Sequence, residues 1–162
     1  LFTQRLAARL LGNPDDARDA AQDVFVSVFR HAASYRPAAR FTTWLHRVTV
    51  NRCLTELESR GTRRELLAGL AGGAGNLPAE HGGPAADPST DPPDDQLERR
   101  ERLRSLEAAL LALPARQRTA VVLHRFEGLG YADIAAAMGC SIGSVESLLS
   151  RARATLVDAL RR

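Results

Sequence analysis

Between Leu67 and Asp95 the chain carries six of its twelve glycines and five of its eight prolines. A tract of that composition has no apolar face to bury, so it reads as flexible or extended. Whatever folds must fold on either side of it, as two helical modules. Charge follows the same division. Residues 1–60 hold nine Arg against six acids, 61–97 two against six, and 98–162 eleven against seven. The resulting nets of +3, −4 and +4 sum to the +3 of the 162-residue chain. Two basic ends flanking an acidic middle suggest contact with a polyanion.

The second module holds the most informative stretch, YADIAAAMGCSIGSVESLLSRAR, from Tyr131 to Arg153. Ile134, Ala135 and Met138 share one face of a short helix, and Gly139 supplies the backbone freedom to end it. Ser141 is a good N-cap for a second helix, whose apolar stripe is Val145, Leu148, Leu149, Ala152, Leu156 and Leu160. Its other face carries Ser144, Ser147, Ser150 and Arg151, with Gly143 and Glu146 beside them. Short hydroxyl side chains let a backbone approach DNA closely, and Arg151 has the reach to bond a guanine edge bidentately. The spacing is that of a helix-turn-helix, although paired helices around a glycine turn also occur in proteins that never touch DNA.

The first module opens with a helix whose apolar face is Leu1, Phe2, Leu6, Leu10 and Leu11, closed by Gly12. Asn13 then caps a second helix, with Pro14 in its first turn and Asp15 and Asp16 at the positive end of its dipole. Ala17, Ala20, Ala21, Val24, Phe25, Val28 and Phe29 are its expected buried face, to about Ala33. Asp16, Asp19 and Asp23 form an outer acidic stripe suited to a basic protein partner. Pro37 interrupts the helix within SYRPAAR. A third helix runs from Phe41 or Thr42 to about Glu58, carrying Trp44, Leu45, Val48, Val50 and Leu54. Arginines at 40, 47, 52, 60, 63 and 64 surround it. Aromatic and arginine residues beside an irregular loop suit single-stranded DNA, although Phe41 and Trp44 also read simply as core, for Trp44 the better reading.

Other chemistries find no support in the residues. No Gly-rich phosphate loop, no metal-ligand spacing among four isolated histidines and no nucleophile–base frame is visible, so neither an enzyme nor a cofactor is expected. Cys53 and Cys140 lie far apart within apolar patterns and read as free thiols of a reducing cytoplasm. No stretch is long and apolar enough to span a membrane. The single Met is Met138, so the sequence reads as starting part-way into a longer one.

Three segments resemble the extracytoplasmic-function (ECF) sigma factors of the sigma-70 family. AAQDVFVSVFRH resembles the polymerase-binding helix, FTTWLHRVTVNRCLTEL the promoter-melting helix, and LPARQRTAVVLHRFEGLGYADIAAAMGCSIGSVESLLSRARATL the promoter-binding C-terminal domain. The resemblance implies an all-α fold of two small helical domains, region 2 over 1–64 and region 4 over 98–162, joined by a flexible acidic linker over 65–97. It implies that Asp19, Gln22, Asp23 and Val26 meet the clamp helices of the polymerase largest subunit. It places Tyr35, Arg36, Arg40, Asn51 and Arg52 at the melted minus-10 element, and Ser144, Ser147, Ser150 and Arg151 at the minus-35 duplex. Core RNA polymerase (clamp helices and flap region), promoter DNA and an anti-sigma factor are the implied partners. The linker acids Asp87, Asp91, Asp94 and Asp95 are implied stand-ins for phosphates. Three departures stand out: the family's first helix is truncated before Leu1, Glu146 replaces a frequent Lys or Arg, and Gly130 replaces a frequent Ser or Thr cap. Promoter sequence, regulon and inducing signal are not legible. The alternatives are a stand-alone helix-turn-helix regulator that binds duplex DNA without polymerase, and an adaptor with no promoter role.

Overall fold

The computed structural model describes residues 2–32, 40–71 and 93–161. Among the described residues every regular element is a helix. In order they are α1 (Phe2–Leu11), α2 (Pro14–His31), α3 (Phe41–Ala71), α4 (Pro93–Ala112), α5 (Ala115–Arg125), α6 (Tyr131–Met138) and α7 (Ile142–Leu160).

The N-terminal bundle is α1, α2 and the first half of α3. Gly12 turns the chain at φ 72°. The Asn13 side chain then accepts from the Asp15 and Asp16 amides, at 2.9 and 3.3 Å, and starts α2. The inner face of α2 is Ala17, Ala20, Ala21 and Val24, small residues that let α1 and α3 approach closely. The expected apolar face does not continue inward beyond Val24. Val28 is half-buried, while Phe25 is 56% and Phe29 85% exposed.

The third helix is longer than its apolar stripe. His46, Thr49, Val50, Cys53 and Leu54 are buried, yet helix persists to Ala71 rather than stopping near Glu58. Residues 60–68 are mostly Arg, Glu, Leu and Ala, good helix formers that carry the helix through Gly61 at a cost of about 1 kcal/mol. At the other end, Pro93 occupies the first turn of α4, with acidic residues behind it. The expected linker over 65–97 is thus shortened, with helical backbone at 65–71 and 93–97. The remainder, 72–92 with Asp87 and Asp91, lies outside the described residues.

In the C-terminal bundle, the turn between α6 and α7 is built as expected. Gly139 ends α6 in the left-handed region at φ 61°, ψ 43°. The Ser141 side chain accepts from the Ser144 amide at 3.2 Å. Ile134, Ala135, Ala137 and Met138 are buried from α6, Val145 and Ala152 from α7. Leu148, Leu149 and Leu156 pack at the margin of this core, whereas Leu160 is exposed.

The two bundles pack on each other: α3 lies against α6 and α1 against α5. Arg118 of α5 is buried at the junction. Its guanidinium donates to the carbonyls of Leu10 at 2.7 Å, Leu113 at 3.2 Å, and Leu111. Leu10 and Leu111 lie in the last turns of α1 and α4, so one cation satisfies orphan carbonyls of helices from both bundles. Burial pulls the Arg118 pKa down from its ordinary value. Arg9 pairs with Glu127 at 3.1 Å and lies 4.8 Å from the centre of the Phe126 ring. His46 Nδ1 lies 2.7 Å from the Thr42 carbonyl, so Nδ1–H donates there. Its Nε2 stands 3.9 Å from Glu127. Gly12 sits so close that a Cβ would fall 2.7 Å from Leu111 Cδ2.

Candidate nucleic-acid and polymerase interfaces

Helix α7 presents one face to the core and one outward. Burial of Val145 and Ala152 orients Ser144, Ser147, Ser150 and Arg151 into solvent, with Gly143 and Glu146 beside them. The Ser144 hydroxyl lies 2.9 Å from that of Ser141, so it takes part in the cap at the start of the helix. Ser147, Ser150 and Arg151 form the more open part of the surface, within three turns of the helix N-terminus. Gly130 caps α6 without a side-chain bond, as its missing side chain requires.

A second candidate surface lies between α2 and α3. Asp23, Val24, Ser27, Val48, Asn51, Arg52 and Thr55 line a cleft of about 440 Å³. Asn51 is exposed and Arg52 half-buried. Arg52 is not a free cation: its Nε donates to Asp23 at 2.8 Å and its Nη1 to Glu56 at 3.1 Å. Glu56 also accepts from Arg60 at 3.0 Å, and Arg60 pairs with Asp16 at 2.8 Å. These contacts raise the Arg52 pKa, chiefly through the bond to Asp23. They hold the Glu56 carboxyl below its ordinary value, chiefly through Arg52. The acidic stripe of α2 is therefore not a bare anionic face. Two of its three carboxylates, Asp16 and Asp23, are neutralised by α3, and Asp19 is exposed. Arg40 and Arg47 are exposed at the start of α3. Phe41 and Trp44 stack obliquely, centroids 5.8 Å apart. Phe41 is exposed and Trp44 half-buried, so neither is wholly core. Tyr35 and Arg36 lie outside the described residues.

The residues expected to meet polymerase separate into two groups. Asp23 belongs to the α2–α3 cleft. Gln22 and Val26 instead border a cleft of about 520 Å³ between α1 and α2, with Gln4, Arg18, Phe25 and Phe29. The two phenylalanines expose apolar surface here. Periodicity marks them as apolar-face residues, yet both are exposed.

No group of three His, Cys, Asp or Glu able to hold a metal occurs among the described residues. No single described helix is long and apolar enough to cross a membrane.

Residues 2–63 match Sigma-70 region 2, and residues 103–156 match Sigma-70, region 4. The ECF RNA polymerase sigma factor SigM of Mycobacterium tuberculosis is 36% identical over 156 residues, covering 96% of this chain and 70% of SigM. The chain belongs to the ECF sigma factors. SigE of Mycolicibacterium smegmatis, also an ECF sigma factor, is 40% identical over 159 residues, or 98% of the chain. The chain spans only 57% of SigE's own length. Among solved structures, the sigma factor RpoE in complex with the anti-sigma factor NepR, from Bartonella quintana, superposes with a TM-score of 0.71. That similarity covers 98% of this chain and 89% of RpoE at 30% identity. Within this ECF sigma factor the α2–α3 cleft lies in region 2, and the α7 face in region 4.

Proposed function

We propose that this chain binds core RNA polymerase and directs it to specific promoters. The N-terminal bundle docks on the polymerase and holds the melted minus-10 strand. The C-terminal bundle reads the minus-35 duplex. The observation that carries this reading is that one chain offers two separate DNA-compatible surfaces: the Ser147–Ser150–Arg151 face of a helix-turn-helix and the Asn51–Arg52 cleft. A stand-alone duplex-binding regulator would need only the first. Asn51 supports the single-strand role chemically, because its amide both donates to and accepts from a base edge. Gln22 and Val26 supply polar and apolar contacts for the clamp helices, while Asp19 and Asp23 supply charge. Tyr35, Arg36 and Arg40 take the base-capturing role that the family resemblance assigns to this stretch. The protein works in the cytoplasm, where the polymerase is, and is not itself an enzyme. An anti-sigma factor is the natural regulator, as RpoE is bound by NepR.

The reading also requires the bundles to part. Promoter elements about 25 base pairs apart lie about 85 Å from each other at about 3.4 Å per pair. A compact chain of this length has a radius of gyration of about 15 Å and is roughly 40 Å across. The packed arrangement thus cannot engage both elements together. The junction at Arg118, Glu127 and Gly12 must open, with the residues between α3 and α4 spanning the gap.

Reconstituted transcription tests the proposal. Core polymerase plus this chain should yield discrete run-off transcripts from genomic fragments, and core alone should not. Tight binding of a specific duplex by the chain alone, with no dependence of transcription on it, would establish the regulator instead.

A further inference from the structure

One residue on the outer face of α7 is out of keeping with its neighbours. Glu146 is exposed, beside Gly143, Ser144, Ser147, Ser150 and Arg151. A carboxylate there opposes approach to a phosphate backbone. Nothing within the helix rewards it. It is the fifth residue of α7, past the first turn in which the helix dipole favours an acid. Its neighbours three and four positions away are Ile142, Gly143, Leu149 and Ser150, none of them a cation. The charge is left to meet a group outside the helix.

Position and reach make that group a base edge. The N-terminal residues of a recognition helix are the ones that contact base edges in the major groove. In that part of α7 the Ser144 hydroxyl is engaged with Ser141 at 2.9 Å, and Gly143 has open space where a Cβ would stand. Ser147 and Ser150 are short. Glu146 is the longest hydrogen-bonding side chain over the first nine residues of the helix. A carboxylate only accepts hydrogen bonds. In the major groove guanine presents it with two acceptors, and thymine with one acceptor and a methyl group. Adenine offers an amino group beside the N7 acceptor, so it serves only in part. Cytosine offers its N4 amino group with no acceptor of its own alongside. Docking against guanine or thymine would bury the carboxylate unpaired, which is costly.

We propose that Glu146 selects cytosine at one position of the upstream duplex, accepting a hydrogen bond from its N4 amino group, and rejects guanine there. This rests on the reading that α7 enters the major groove of the minus-35 element. Sequence preference then comes from two side chains of opposite taste: Arg151 takes a guanine edge and Glu146 a cytosine edge. Five residues separate them, about 7.5 Å along the helix axis. The two positions therefore lie about two base pairs apart, at about 3.4 Å per pair.

The test is selection by the reconstituted holoenzyme from a promoter library with a randomised upstream element, followed by sequencing. A promoter found by run-off transcription supplies the fixed remainder. Wild type should enrich cytosine over guanine about five- to tenfold at one position. Glu146→Gln keeps the shape and gains a donor, and should shift that position to adenine, whose N6 and N7 it can pair together. Glu146→Arg should shift the same position to guanine. Every other position, the guanine read by Arg151 included, should keep its preference. Circular dichroism establishes that each variant is folded. Tighter binding of all sequences by Glu146→Gln, with no change of preference, would reduce Glu146 to a source of phosphate repulsion and overturn the proposal. A shift spread over several positions would overturn it too. If wild type shows upstream preferences and both variants leave them unchanged, only this inference falls. If the wild-type holoenzyme shows no upstream preference at all, α7 does not read the duplex, and the proposal falls together with the reading beneath it.

Discussion

Arg118→Met is the substitution that most directly probes how the two bundles are held. The wild-type guanidinium serves three carbonyls, of Leu10, Leu111 and Leu113, and the residue is 8% exposed. Methionine fills a similar volume but donates nothing. Leaving a buried carbonyl unpaired costs about 1–3 kcal/mol, and losing a cation at a helix C-terminus about 0.3–1 kcal/mol. Against that stands the relief from burying a charge, several kcal/mol in principle, whose sign is visible in the depressed Arg118 pKa. The balance is a loss of about 3 kcal/mol, a large part of the about 5–15 kcal/mol of an ordinary domain. For a chain of this size that lowers the melting temperature by about 6–12 °C. Thermal and urea unfolding followed by circular dichroism measure it. The variant should also scatter X-rays as a larger particle, because the Leu10 bond ties α1 to α5. A loss below about 1 kcal/mol, with unchanged radius of gyration, would refute the idea that this cation closes the junction.

Three further outcomes follow from the same contacts. Gly12→Ala should destabilise by about 1–2 kcal/mol through its left-handed backbone alone, and more through the approach to Leu111; adding Leu111→Ala should recover the steric part in urea unfolding but not the backbone part. Iodoacetamide at pH 8 should label Cys140 and spare Cys53, which is fully buried and whose thiol is pushed up to about 12 by that burial; mass spectrometry should find both labelled only after unfolding. Because the folded Glu56 pKa is depressed, its contribution to stability is present above the unfolded value of about 4.3 and is lost as pH falls through the folded value; the urea midpoint should drop less between pH 5 and pH 3.5 in Glu56→Gln than in wild type.

The parts of this fold that were legible are those encoded locally. Asn13 before Pro14, Gly139 before Ser141, and the stripe through Val145 and Ala152 specify their own geometry within a few residues. The acidic stripe of α2 was legible as a pattern but not as a surface, since its neutralising arginines are 29 residues away at Arg52 and 44 away at Arg60. The junction had no local signature at all. Arg9 meets Glu127 across 118 residues and Arg118 meets Leu10 across 108, and no periodicity reports such pairs. Phe25 and Phe29 show a different limit. Periodicity identifies an apolar face, but exposure depends on which neighbours pack against it. The tail of α3 was missed because the glycines at 61 and 69 and the nearby Gly/Pro tract outweighed a run of ordinary helix formers.

Permanganate footprinting of the reconstituted holoenzyme on its promoter tests the two-surface division of labour most directly. Wild type should make thymines around minus-10 reactive. Asn51→Ala should abolish that reactivity while upstream protection from nuclease persists. Arg151→Ala removes a guanine contact worth about 1–3 kcal/mol, so reactivity and upstream protection should fall together and return at higher holoenzyme concentration. Strand opening that survives Asn51→Ala while upstream protection is lost, or opening alone impaired by Arg151→Ala, would contradict the assignment of the two surfaces.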